Sequence, residues 1–187
     1  MTGKKRGAAS TLRKVLSVAK GAGISPVLIG AGALSAYGAP RYSEDIDFLL
    51  SSRNANRLVR VLLDVGFKGP PPSSDIYFYP LASPDGMQVD ILGATDPLPL
   101  AAIRSARRAT FLGVDVRVPS LEFFVLLKLL AADGDQARAL RHLGDIQDLR
   151  RVRPEVDLDA VRAHVRDSEP ALAQVLRKLS AGGKKGR

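Results

Sequence analysis

Apolar positions along the chain alternate between two periods, and the switches between them outline its elements. Leu12, Val15, Leu16 and Ala19 recur at helical spacing, which predicts an amphipathic helix over residues 9–20. The stretch GAGIS ends it, and PVLIG follows as a short apolar strand. AGALSAYG then reads as a small-residue helix stopped by Gly38 and Pro40. A second strand covers residues 44–50. Leu58, Val61, Leu62 and Val65 mark a further helix with Gly66 as its stop. IYFYPL and MQVDIL are strands of a hairpin separated by the turn-rich ASPDG. Tyr77 and Tyr79 alternate on the first of these, placed either to stack on a base or to pack in the core or at its rim.

Residues 98–109 read as a helix carrying Arg104, Arg107 and Arg108, whose bland role is a solvated face and whose functional role is an RNA contact. GVDVRVP alternates, with Val114, Val116 and Val118 inward. Ser120 is placed to cap the next helix, LEFFVLLKLLA, which holds one charged residue, Lys128, in an apolar body. Beyond residue 133 the pattern is helical and polar. A last helix or pair spans about residues 158–179, with Pro170 marking a break. The order helix, strand, helix, strand, helix, strands, helices predicts an α/β (α+β) fold: a mixed β-sheet flanked by helices, with a C-terminal helical part. The expected organisation is a core over residues 9–119 and a helical region over 120–180, between basic flexible tails at 1–8 and 181–187.

One strand does not fit a plain core. Asp45 and Asp47 alternate with Ile46 and Phe48 in RYSEDIDFLL, so both carboxylates project from one face. Like charges so close resist ionisation unless a cation lies between them or the strand ends at a wet cleft. Asp90, in MQVDIL, supplies a third acid on another strand. Three carboxylates on adjacent strands form an oxygen cage suited to Mg²⁺. Two such ions, about 3.5–4 Å apart, can clamp an in-line displacement at phosphorus. The turn LIGAGAL, with Gly30 and Gly32 between strand and helix, is a natural place for a phosphate.

These elements together resemble the opening of the DNA polymerase β-like nucleotidyltransferase superfamily: a strand, a Gly-rich turn, a helix, then YGAPRYSEDID and an apolar strand end. VPSLEFFVLLKLLA followed by RHLGDIQDL is similar to the later part of one branch, the small bacterial nucleotidyltransferases related to abortive-infection toxins of toxin–antitoxin pairs. The resemblance covers about residues 24–150. It implies the nucleotidyltransferase fold and transfer of an NMP from an NTP to an acceptor hydroxyl on RNA (tRNA), protein or a small molecule such as an antibiotic. A catalytically silent nucleotide- or partner-binding module is the alternative of another class. It also implies Mg²⁺, two ions with Mn²⁺ as a substitute, held by Asp45, Asp47 and Asp90. Gly30 and Ala31 would lie against the triphosphate, and Arg41 and Ser43 would serve structural or phosphate-side roles. Lys128 would reach the nucleotide's phosphates, and Asp145 would orient Lys128 or the acceptor. Implied partners are the NTP, tRNA or other RNA, and a cognate antitoxin. Ala31 stands where Gly or Ser is common, His142 where an acid is usual and Gly144 where Glu is common; these departures bear on nucleotide affinity, not on the three acids.

Composition adds two points. With 28 Lys and Arg against 19 Asp and Glu the formal charge is +9, which favours polyanionic partners over cationic ones. The chain has no Cys, so disulfide and thiolate chemistry are excluded. A cytoplasmic protein without a membrane span is the expectation, since no signal core follows the basic start.

Overall fold

The computed structural model describes residues 2–134 and 137–168. The expected helical stretch beyond Ser168, Pro170 and the C-terminal tail lie outside the described residues. The chain divides into two compact units, residues 1–119 and 120–187.

The first unit opens with α1 (Thr2–Gly21), then β1 (Val27–Leu28), α2 (Gly30–Ala36), β2 (Asp45–Ser51) and α3 (Ser52–Asp64). β3 (Phe78–Ala82), β4 (Gln88–Ala94), α4 (Pro97–Arg104), β5 (Arg107–Phe111) and β6 (Val114–Val118) complete it. β1, β2, β4 and β3 form a mixed sheet in that order, with β2 parallel to β4 and the outer pairs antiparallel. One sheet face carries Ile46, Phe48, Val89, Ile91, Tyr79 and Leu81, all buried. α3 closes over it with Ala55, Leu58, Val59 and Leu62, the i, i+3, i+4, i+7 stripe of an amphipathic helix. Gly93 permits that approach, because a Cβ there would lie 3.2 Å from the Ser52 Cα.

Two expectations are corrected. The helix predicted from residue 9 starts at Thr2, so the basic segment expected as a loose tail continues α1. Ala8 and Ala9 favour the helix, and Lys and Arg are good helix formers that carry it past the Gly residues. The helix predicted over 98–109 ends at Arg104, and Arg107 and Arg108 lie on β5. The Ser105 N–H bonds back to the Ala101 carbonyl and closes the helix. The following residues pair with β6 across a turn in which Leu112 (φ 52) and Gly113 (φ 71) are both left-handed.

The second unit holds α5 (Leu121–Gly134), α6 (Ala139–Val152) and α7 (Leu158–Ser168), with α5 packed on both of the others. The Ser120 hydroxyl accepts from the Phe123 N–H at 3.4 Å, a cap for α5. His164 is exposed, with its ring at 5.1 Å from that of Phe123 in an edge arrangement. No described helix is long and apolar enough to cross a membrane.

Candidate active site

Strand register sets the acids. Asp47 lies directly beside Asp90 in the parallel β2–β4 pair, and Asp45 beside Gln88. One carboxylate oxygen from each of Asp45, Asp47 and Asp90 can be chosen so that all three lie within 4.8 Å of one another. Asp90 is buried, while Asp45 and Asp47 are half-buried. Burial pushes the Asp90 carboxyl above the ordinary carboxylate range; the Gln88 amide, donating to its Oδ1 at 3.0 Å, opposes this, and the Asp45 charge adds to the rise. The donor set is hard oxygen throughout, which suits Mg²⁺. A divalent cation there would also offset the burial cost, and with it the Asp45 repulsion, that raise Asp90, so these residues fit the metal.

The Gly turn abuts the acids. Gly30 is left-handed (φ +61), and a Cβ on it would fall 2.0 Å from the Asp47 Oδ2. The Ile29 N–H donates to the Asp47 carbonyl at 2.9 Å, tying the turn to β2 beyond the two residues of β1. Ala31 is buried behind it. Gly32 serves packing between α2 and β1 instead, since a Cβ there would meet the Leu28 side chain at 3.0 Å. Ser43 donates a short hydrogen bond to the Asp45 Oδ1. Arg41 is half-buried just before it and donates to the Tyr42 carbonyl. The Tyr37 hydroxyl, at the end of α2, donates to the Pro119 carbonyl.

In the second unit Lys128 and Asp145 are both buried and meet at 2.6 Å between α5 and α6. The Lys128 ammonium therefore does not snorkel to water, the plain alternative for a Lys on an apolar helix. It also lies 5.6 Å from the Phe124 ring centroid.

Of the two tyrosines that the sequence offers for base stacking, Tyr79 is fully buried, and its hydroxyl donates to the Ser73 carbonyl at 2.8 Å. Tyr77 precedes β3 and is half-exposed. The ring that shares the face of the acids is Phe78, which the sequence pattern does not single out. Its signal is the register: Pro80 pairs with Asp90, and Phe78 with Leu92.

Residues 17–180 match the nucleotidyl transferase AbiEii toxin family of type IV toxin–antitoxin systems. The chain belongs to that family. It is thus a nucleotidyltransferase, related to abortive-infection toxins. No curated protein matches it in sequence. Among solved structures it is similar to the antibiotic-resistance factor ANT(2'')-Ia, with 17% identity and a TM-score of 0.65 over 95% of each chain. It is also similar to a lincomycin-bound lincosamide antibiotic adenylyltransferase, with 15% identity and a TM-score of 0.54 over 81% of this chain and 98% of that one. An antigenic nucleotidyltransferase-like protein from Paracoccidioides brasiliensis matches at 21% identity and a TM-score of 0.52, over 94% of this chain and 93% of that one. At these identities the likeness concerns the fold, a mixed sheet flanked by helices.

Proposed function

We propose that this nucleotidyltransferase moves an NMP from an NTP to a hydroxyl of an RNA acceptor, with Mg²⁺ held by Asp45, Asp47 and Asp90. The observation that supports it is the convergence of the three carboxylates beside the Gly30 turn. Gly30 and Ala31 receive the triphosphate. Ser43 holds the Asp45 carboxylate, and Arg41 serves the phosphate side of the same segment. Bound Mg²⁺ would supply charge neutralisation on the triphosphate and a lowered pKa for the acceptor hydroxyl.

The reaction forms a bond from the acceptor oxygen to the α-phosphorus and breaks the bond from that phosphorus to the β-phosphate oxygen, releasing pyrophosphate. Asp90 takes the acceptor's proton, a role that suits a carboxyl whose burial favours the protonated form. Positioning and electrostatics supply most of the acceleration. In the C-terminal unit, Asp145 fixes the ammonium of Lys128, the residue that the family resemblance assigns to the nucleotide's phosphates. The acceptor reading draws on the +9 charge, which favours a polyanion. The family implies a cognate antitoxin as partner.

A second reading, transfer to a small antibiotic, draws on the fold shared with ANT(2'')-Ia and the lincosamide adenylyltransferase. A cationic antibiotic would want an acidic cleft, which the overall charge does not favour. Incubation with each α-labelled NTP, Mg²⁺ and total RNA tests the choice. Label in RNA, lost in Asp47→Asn, supports the proposal. Label only on an added aminoglycoside or lincosamide overturns the RNA acceptor, and no Mg²⁺-dependent NTP consumption overturns catalysis itself.

A further inference from the structure

The sheet face that carries the acids continues past them. In register with β4, Asp90 is flanked by Pro80, Leu92 by Phe78 and Gln88 by Ala82. Directly opposed residues share a face, so Phe78, Pro80 and Ala82 lie on the side of Asp45, Asp47 and Asp90. Ala82 and Lys68 exchange both backbone hydrogen bonds, at 2.9 and 2.8 Å. That places Lys68, which is exposed, on the same face.

The opposite face is closed. Tyr79 and Phe48 are 0% exposed there, whereas Phe78 is 49% exposed, with Pro80 and Ala82 open beside it. Pro80 also guards the edge. Ala82 points its N–H outward to Lys68, and two residues earlier Pro80 has no N–H to offer a further strand. The surface is thus an open apolar shelf rather than an unfinished sheet.

Its position relative to the acids is what assigns it. Across the sheet the order is the Gly30 turn, then Asp45 and Asp47 on β2, then Asp90 on β4, then Phe78 and Pro80 on β3. In-line transfer needs the leaving and attacking oxygens on opposite sides of the phosphorus. With the triphosphate on the Gly30 flank, the attacking hydroxyl comes from the β3 flank. Phe78 is the diagonal neighbour of Asp90, about 7–8 Å away. That span admits the sugar of a nucleoside whose base lies on the ring.

We infer that Phe78, supported by Pro80, is the stacking platform for the unpaired terminal base of the RNA acceptor, with Lys68 placed for its backbone phosphate. This rests on the acceptor being RNA and names the residue that holds its end. Stacking on an aromatic is sequence-tolerant and suits a single-stranded terminus, since every base offers a π-face.

The chain contains no Trp, so Phe78→Trp installs a single indole reporter. Its fluorescence is titrated with a mixed-sequence single-stranded hexaribonucleotide, a blunt-ended RNA duplex, and each NTP with Mg²⁺. The expected result is saturable quenching by the hexamer, weakened by Lys68→Ala, and little by the duplex or the NTPs. Quenching by NTPs alone would make the shelf the nucleotide's own base site and overturn the inference; so would no quenching by any RNA. In the labelling assay, Phe78→Ala should raise the KM for RNA about tenfold at unchanged NTP KM, and Phe78→Trp should restore it. If wild type labels RNA and Phe78→Ala leaves its KM unchanged, the platform is wrong and the RNA reading stands. If wild type labels only a small molecule while the hexamer still fails to quench, both fall.

Discussion

Gly30→Ala is the sharpest test of how the turn and the acids depend on each other. Two penalties coincide at this residue. Its φ of +61 is left-handed, where an L side chain costs about 1–2 kcal/mol. The added Cβ would also fall 2.0 Å from the Asp47 Oδ2 and 2.8 Å from its Cγ, against an ordinary contact near 3.5–4 Å. The carboxylate must therefore retreat by more than an ångström or the turn must open. Misplacement by about 1 Å at a reacting centre costs on the order of 100-fold in rate. The expected outcome is a loss of about 100-fold or more in kcat, weaker Mg²⁺ binding by calorimetry, and a melting temperature lower by several degrees. Gly32→Ala is the control. The nearest atoms to its Cβ are those of the Leu28 side chain at 3.0–3.1 Å, so it should lower the melting temperature with a far smaller effect on kcat. Full activity and unchanged Mg²⁺ affinity in Gly30→Ala, with the fold intact by circular dichroism, would refute the reasoning.

Other expectations rest on the same geometry. Asp90→Asn should raise the melting temperature in EDTA while abolishing transfer, because burial disfavours the charged carboxylate. A raised folded pKa means that the folded state binds the proton more tightly than the unfolded chain, so the Asp90 contribution to stability falls as pH rises through that pKa. A bound cation reverses the preference, so the rise in melting temperature on adding Mg²⁺ should grow as the pH rises above the ordinary carboxylate range. A shift that shrinks as the pH rises would contradict the placement of the ion at Asp90. Lys128→Met should cost about 3–5 kcal/mol in chemical denaturation by removing the ion-pair partner of the buried Asp145. The double variant Lys128→Met/Asp145→Leu should recover most of that stability without recovering activity; recovery of both would assign the pair to structure alone.

How far the sequence reveals this arrangement differs from residue to residue for physical reasons. Asp45, Asp47 and the strand holding Asp90 stand out because period-two spacing puts Asp45 and Asp47 on one face whatever the strand's partner. Their convergence with Asp90 depends on the β2–β4 register, which no local pattern encodes. Phe78 escapes notice because IYFYPL is apolar at every position, and such a strand does not reveal which phase faces the core. The pairing of Pro80 with Asp90 decides it. The stretch from Arg104 to Arg108 fits either period, so the predicted helix runs too far, and the left-handed Leu112–Gly113 turn carries no strong hairpin signature. Lys128 and Asp145 lie 17 residues apart on different helices, a contact beyond the reach of i, i+4 rules. The mixed sheet, its flanking helices and the C-terminal helices are legible because their long, amphipathic patterns are redundant.

The central claim is that the three acids together hold the divalent metal on which transfer depends. Mn²⁺ binding, followed by electron paramagnetic resonance in the presence of a non-hydrolysable NTP, tests it most directly. The account predicts two ions per wild-type chain, and loss of at least one in Asp45→Asn, Asp47→Asn and Asp90→Asn alike, with the folds unchanged. Equal Mn²⁺ occupancy in wild type and in the triple variant would contradict it.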